Sequence, residues 1–199
     1  MRNMKRGHDF VETLERRVSC REFIPNSPLR KSEIDDLLRA AIRAPTAGNL
    51  QAWRVFLVEG VDKLTQLRDA ARGQDWIPTA SLGMIFFADQ DASARKYRSR
   101  GTKLYSVQDA TIACAYTQLC CEFLGLGACW VGAFSETRTK ALAGVEDDDS
   151  LVPISLLIIG RPTPTARKRP RSRRSVDEVV IPDPKNNATM MDDSPESDG

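Results

Sequence analysis

The sequence predicts one domain, in which helices and strands pack around a single buried helix. Residues 110–124 are apolar on every side and carry one charge, Glu122, and a helix without a polar face has to be buried all round. The run 82–88 is apolar without alternation, which is typical of a strand covered on both faces. Residues 152–159 form the last core strand. In a chain of 199 residues, we expect a second copy to cover one flank of the central helix.

Apolar spacing predicts the elements of the first half of the chain. A short helix is expected over 9–17 and an amphipathic helix over 32–43, with Ser32 and Asp35 resembling a capping box. The apolar face of the second helix contains Ile34, Leu37, Leu38, Ala41 and Ile42. A strand over 54–58 and a helix over 62–71 follow.

The second half begins with a polar segment, 89–103, that carries five Lys and Arg residues around Tyr97. We expect exposed helix and loop here, because long polar segments usually lie at the surface; a lid over a pocket is the alternative. The central helix should end at Gly125, since glycine supplies the left-handed backbone that closes a helix. A short strand over 128–131 and a helix over 137–143 complete the domain.

Composition excludes several classes of protein. The net charge of +2 does not point to a charged partner, and no run resembles a membrane span or a signal peptide, so we expect a cytoplasmic protein. Five cysteines without a CxxC pair indicate a reducing compartment and no metal site. The single histidine, His8, gives little support to a histidine-dependent nucleophile. An enzyme of this composition would therefore rely on a cofactor.

Arg17, Ser19 and Arg21 alternate, so in an extended segment their side chains share one face. Two guanidinium groups and a hydroxyl suit a phosphate, because arginine offers a planar fork of donors. A solvated basic edge is the alternative.

Two other segments have both a functional and an ordinary interpretation. The loop 44–53 is dense in small and amide side chains, which suits the edge of a heteroaromatic ring and is equally found in plain loops. The basic run 167–174 could contact nucleic acid, act as a targeting signal or reach back to the phosphate near Arg17 and Arg21. Because no aromatic residues interleave it, nucleic acid is not an expected partner.

Four segments, in order, resemble the nitroreductase family of FMN-dependent oxidoreductases. The first two are an Arg-x-Ser-x-Arg-x-aromatic run at Arg17, Ser19, Arg21 and Phe23, and a loop with Ala44, Pro45, Thr46, Asn49, Gln51 and Trp53. The last two are the helix, Gly-Leu-Gly turn and strand over 109–132, and a basic segment with Arg171 and Arg173 before 176–181. Gly132 stands where some members of the family have Glu.

The resemblance implies an α+β sandwich with a mixed, mainly antiparallel sheet and the long helix at the interface of an intertwined homodimer. The resemblance gives an FMN-binding domain over 9–181. We expect a flexible N-terminus over 1–8 and, because the end of the chain is polar and acidic without a core-forming run, a disordered acidic tail over 182–199.

The resemblance also implies the site. From one subunit, Arg17, Ser19 and Arg21 would hold the FMN phosphate and ribityl chain, helped by Arg171 or Arg173. The other subunit would bring up Pro45, Thr46, Asn49 and Gln51. The backbone of Trp130, Val131, Gly132 and Ala133 would lie along the ring, with an amide near Gly132 donating towards N5. No catalytic side chain and no metal are implied, because the flavin carries the chemistry.

The implied reaction takes a hydride from NADH or NADPH to the flavin and passes it to a nitroaromatic, a quinone or a similar small oxidant in ping-pong order. One alternative keeps the fold and FMN but changes the reaction to dehydrogenation, reductive dehalogenation or flavin fragmentation. Another is a non-catalytic protein that binds flavin or nucleic acid.

Overall fold

A computed structural model of the chain describes residues 10–166 and 172–182. Its helices are α1 (Phe10–Arg16), α2 (Lys31–Ile42), α3 (Val61–Ala70), α4 (Gln90–Arg100), α5 (Ser106–Phe123) and α6 (Glu136–Ala143). Its strands are β1 (Trp53–Val58), β2 (Leu82–Asp89), β3 (Gly127–Val131) and β4 (Leu151–Gly160). Each was predicted to within a few residues. Predictions for His8, Arg171 and most of the acidic tail fall outside the described residues.

The four strands form one sheet in the order β1-β2-β4-β3, and all neighbouring strands are antiparallel. The parallel component is a single bridge between Ser19 and Ala128, at the β3 edge. The expectation of a mainly antiparallel sheet is therefore confirmed.

Side chains of the sheet alternate between two apolar layers. One layer joins the sheet to α2 and α5 and includes Leu37, Met84, Phe86, Cys114 and Leu157. The other joins it to α3 and includes Leu64, Leu67, Ile85, Phe87 and Ile158, with Leu142 of α6 packed against it. Every residue of β2 is buried, as its apolar run predicts, because this strand lies inside the sheet and is covered by helices on both faces.

The central helix α5 packs one side on the sheet and leaves its other side partly open. Ala113, Cys114 and Cys121 are fully buried, whereas Tyr116 is 41% exposed. The helix ends as predicted: Gly125 has a φ of +76°, and the Leu126 amide donates to the Cys121 carbonyl at 2.8 Å. In a single copy of the chain, α5 is thus not buried on every side.

The predicted cap of α2 is wrong. The helix begins one residue earlier than expected, with Arg30 as its N-cap, and the Glu33 carboxylate accepts the Arg30 amide at 2.8 Å. Glu33 stands three residues after this N-cap and is long enough to reach back to it. Ser32 and Asp35 do not form this box. Ile42, expected on the buried face, is 59% exposed.

The segment after β2 is exposed helix, as expected, but it folds back on itself. Arg98 interrupts α4 with a φ of 50° and a ψ of −134°. Beyond it, Gly101 lies so close to the start of the helix that a Cβ there would stand 2.6 Å from the Ser93 carbonyl oxygen. The chain from Gln90 to Tyr105 is therefore a helical hairpin with Arg98 at its tip.

None of the helices in the described ranges is long and apolar enough to cross a bilayer.

Candidate functional site

The segment 17–23 runs extended along the β3 edge of the sheet. The Cys20 amide donates to the Ala128 carbonyl at 2.9 Å, and Ser19 forms the bridge to the same residue. Cys20 and Phe23 point into the core and are 1% and 4% exposed, whereas Ser19 and Arg21 are exposed. The predicted alternation is confirmed from Ser19 to Arg21, whose hydroxyl and guanidinium lie outside with Cys20 buried between them. It does not extend over the whole segment, because Arg17 and Val18 are both half-buried and Glu22 is exposed next to Arg21.

Ser19 and Arg21 both act on the pKa of the Cys129 thiol, on β3. Burial raises the pKa of Cys129, while the positive charge of Arg21 and a hydrogen bond from the Ser19 side chain lower it. The Arg21 guanidinium also lies 6.0 Å from the centre of the Trp76 ring. Among residues 10–166 and 172–182, no carboxylate forms an ion pair with Arg17 or Arg21. Their donors are thus available to an anion.

The end of β3 lies on the same edge. Val131 is buried and pairs with Leu156 of β4, and the chain then leaves the sheet at Gly132 and Ala133, both exposed. A Cβ placed on Gly132 would meet the Trp130 indole nitrogen at 4.0 Å and nothing nearer. The backbone here is therefore open to a flat ligand, and the structure brings it together with Ser19 and Arg21.

The loop 44–53 is held in a left-handed turn. Gly48, Asn49 and Gln51 have φ values of 58°, 58° and 50°, a region that residues with side chains seldom occupy, Asn being the usual exception. The Thr46 hydroxyl oxygen accepts the Gln51 amide at 3.0 Å. Pro45, Asn49 and Gln51 are exposed and Thr46 is half-buried. The turn thus presents amide side chains outward.

A buried carboxylate anchors this loop to α5. Asp109, 2% exposed, accepts the Ala47 amide at 2.9 Å. Burial raises the pKa of Asp109, whereas the amides of Ala47 and Ala52 lower it. Its second oxygen, like the indole nitrogen of Trp53, has no hydrogen-bond partner in the described chain. Sequence patterns did not identify Asp109 as an anchor; the available signal was a carboxylate at the start of an otherwise apolar helix.

The loop 44–53 and the clamp, as we call the segment 17–21 with Arg17, Ser19 and Arg21, lie at opposite edges of the sheet. The loop leads into β1, whereas Ser19 is bridged to β3, and β2 and β4 lie between these strands. Three strand spacings separate the two edges by about 14 Å. A single copy of the chain therefore does not bring the two predicted halves of the site together.

The remaining predicted residue, Arg173, lies in the exposed segment 172–182, where its guanidinium donates to the Ser172 carbonyl at 3.4 Å. Arg171 is outside the described residues. No group of three potential metal ligands occurs in the part of the chain that the structure describes.

The thiols of α5 are poor nucleophiles. Burial raises the pKa of Cys114 to about 12, and burial followed by the charge of Asp36 raises that of Cys120 to about 11. The thiolate is the reactive form, so both groups stay inert near neutral pH.

The exposed donor set consists of guanidinium, hydroxyl and amide groups, which bind and orient a ligand. Redox or transfer chemistry at this site has to come from a bound group.

The sequence of the chain matches a family model and several known proteins. The model of the family described as "Nitroreductase family" matches residues 14–92 and 73–161. The chain is 26% identical over 175 residues to an FMN reductase (NADPH) of Bacillus subtilis, covering 82% of this chain and 70% of that protein. It is 26% identical over 193 residues to an NADH dehydrogenase of Thermus thermophilus, covering 83% and 92%.

Solved structures agree on the fold. The NADPH:FMN oxidoreductase of Vibrio harveyi, complexed with NAD+, superimposes with a TM-score of 0.77 at 20% identity, over 88% of this chain and 77% of that one.

Proposed function

Because the chain belongs to the nitroreductase family, we propose that it oxidises NAD(P)H and reduces a small nitroaromatic, quinone or similar oxidant in ping-pong order. It is an FMN-dependent NAD(P)H oxidoreductase, as are relatives named FMN reductase that match over 82% of the chain. A bound FMN would supply the hydride-transfer chemistry between the reduced nicotinamide and the oxidant. The protein binds and orients these partners.

The observation that carries the proposal is the Arg21 guanidinium, which is exposed beside the Ser19 hydroxyl and forms no ion pair with a carboxylate of the described residues. A guanidinium without a carboxylate partner matches the oxygens of a phosphate, and Ser19 adds a small donor. Arg17, Ser19 and Arg21 would hold the FMN phosphate and the adjoining ribityl chain. Arg171 or Arg173 would add a second cation to the same phosphate.

The flavin ring of FMN would lie along the backbone from Trp130 to Ala133, where the chain leaves the sheet. An amide near Gly132 would donate towards N5 of the flavin. Fixed amide donors stabilise negative charge that develops on a flavin without having to reorganise. The absence of a side chain at Gly132 leaves room above this backbone.

Pro45, Thr46, Asn49 and Gln51 would approach the same flavin from a second subunit. The loop and the clamp stand at opposite edges of one sheet, and a two-fold axis would bring the loop of one copy to the clamp of the other. The site is therefore proposed to be shared within a homodimer, with residues 9–181 as the FMN-binding domain.

The test is an absorption spectrum of the purified protein, followed by anaerobic addition of NADH and, separately, NADPH. Bound flavin absorbs at about 370 and about 450 nm, and both bands should bleach on addition of reductant. Nitrofurazone or menadione added afterwards should restore them. A protein that stays colourless after incubation with FMN would contradict the proposal.

A further inference from the structure

The helical hairpin from Gln90 to Tyr105 has a basic tip. Cations are crowded around the turn at Arg98, and all of them are exposed: Arg95, Lys96, Arg98, Arg100 and Lys103. A straight helix would separate Tyr97 and Tyr105 by about 12 Å along its axis. The fold-back instead brings the two rings into edge-on contact, with their centres 4.9 Å apart.

The cations of this tip pack on the two rings and leave most of their charge uncompensated. Lys96 Nζ lies 5.4 Å from the centre of the Tyr97 ring, and the Arg100 guanidinium lies 5.3 Å from that of Tyr105. Arg100 Nε also donates to the Tyr105 hydroxyl at 2.8 Å. No ion pair joins the five cations to a carboxylate within the described ranges. Like charges held this close repel one another unless an anion joins them.

The tip touches the loop that is proposed to face the flavin. A Cβ built on Gly48 would stand 2.5 Å from the Tyr97 hydroxyl oxygen and 2.8 Å from Lys96 Nζ. Glycine at this position allows the close contact because it has no side chain. Its φ of +58° is a second reason for glycine here, because residues with a side chain seldom adopt that conformation. A ligand that lies over the flavin and extends past this loop would meet the basic tip.

We propose that the basic tip, formed by Lys96, Arg98 and Arg100 around Tyr97 and Tyr105, binds the phosphate-bearing adenosine end of the reductant and makes NADPH preferred over NADH. This inference rests on the proposed function. NADPH differs from NADH by one phosphomonoester, which carries a charge of about −1.5 to −2 near neutral pH. Arginine and lysine bind such a group through charge-assisted hydrogen bonds, and the tyrosine pair offers an aromatic edge to the adenine.

The first test measures binding without turnover. Oxidised, flavin-loaded protein is titrated by calorimetry with 2′,5′-ADP, which carries the extra phosphate, and with 5′-AMP, which does not. The expected result is at least tenfold tighter binding of 2′,5′-ADP. In separate Lys96→Gln and Arg100→Gln variants this advantage should fall at least fivefold. Lys63→Gln, on α3 across the sheet, is the matched control and should keep the advantage.

The second test measures anaerobic flavin reduction by NADPH and NADH. The kcat/KM for NADPH divided by that for NADH should exceed about ten for the wild type and fall at least fivefold in the two tip variants. The ratio should also decline as the salt concentration rises, because exposed charges are screened. Equal use of both reductants, or a ratio that the tip variants leave unchanged, overturns this inference while the proposed function stands. A flavin that neither reductant bleaches overturns the proposed function itself.

Discussion

At the scale of single residues, the clamp is organised before any ligand arrives. Cys20 is buried and stands between Ser19 and Arg21 in an extended chain, so the two flanking side chains are held on the outer face. Trp76 lies beside the Arg21 guanidinium, with 6.0 Å between the charge and the ring centre, a distance within the range of a cation–π contact. A side chain that is already positioned loses less conformational entropy when it binds.

Replacing Arg21 by Ala should weaken FMN retention about ten- to a hundredfold, because a charge-assisted phosphate contact contributes roughly 1.5 to 3 kcal/mol. The measurement is a fluorescence titration of apoprotein with FMN. Arg39→Ala, on the exposed side of α2, is the control and should bind FMN as the wild type does. An Arg21→Ala protein with unchanged affinity would show that the phosphate lies elsewhere.

The sequence reveals residues of the site only where local spacing defines them. Ser19 and Arg21 follow the two-residue period of an extended chain, and burial of Cys20 between them bears this out. Asp109 and Ala47 are 62 positions apart in the chain, and Trp76 is similarly remote from Arg21. Contacts of that kind depend on the tertiary fold, so no pattern in the local sequence predicts them.

At the scale of elements, apolar periodicity was sufficient to find the helices and strands, whereas their ends and bends were harder to predict. The reversal at Arg98 depends on a φ of 50°, and arginine carries no preference for that region. The start of α2 depends on Glu33, whose carboxylate also binds Arg161 at 2.9 Å, beyond the end of β4. Sequence near α2 could not reveal this distant partner.

Glu33 should make the stability of the fold depend on acid pH. Burial alone would raise its pKa, but hydrogen bonds from the Arg30 side chain and backbone and from Arg161 bring the pKa down to about 2 from 4.5. A lowered pKa means that the stabilisation is fully present above about pH 5 and is lost as the pH falls through about 2. A shift of this size corresponds to roughly 3 kcal/mol.

Urea unfolding of the wild type and Glu33→Gln checks this expectation. The variant should be less stable by roughly 2 to 3 kcal/mol at pH 7, and the difference should shrink as the pH falls towards 3. Glu59→Gln, at an exposed position after β1, is the control and should leave the stability unchanged. If the difference in stability stayed constant from pH 7 to pH 3, the ion pairs of Glu33 would not be its cause.

At the scale of the whole molecule, one surface exposes several large apolar side chains. Phe10 and Leu14 of α1 are 69% and 46% exposed, and Tyr116 of α5 is 41% exposed. Beside them runs a groove lined by Phe10, Thr13, Leu119, Cys120 and Phe123. Contiguous apolar surface of this kind marks an interface. It coincides with the open flank of the helix that the sequence predicts to be buried on every side.

Replacing Tyr116 by Arg should therefore separate the proposed homodimer into subunits and release the flavin. Because Tyr116 is exposed in one subunit, the arginine charge can remain in water and the subunit should still fold. In the dimer the same charge would be buried without a partner, at a cost of several kcal/mol. Light scattering should change from twice the 22.1 kDa of the chain to a single chain, and the bound flavin should be lost with it. Tyr116→Phe removes only the hydroxyl and should keep both mass and colour. Since the clamp and the loop stand at opposite edges of one sheet, a Tyr116→Arg monomer that retains FMN at wild-type affinity would show that one subunit is enough to build the site.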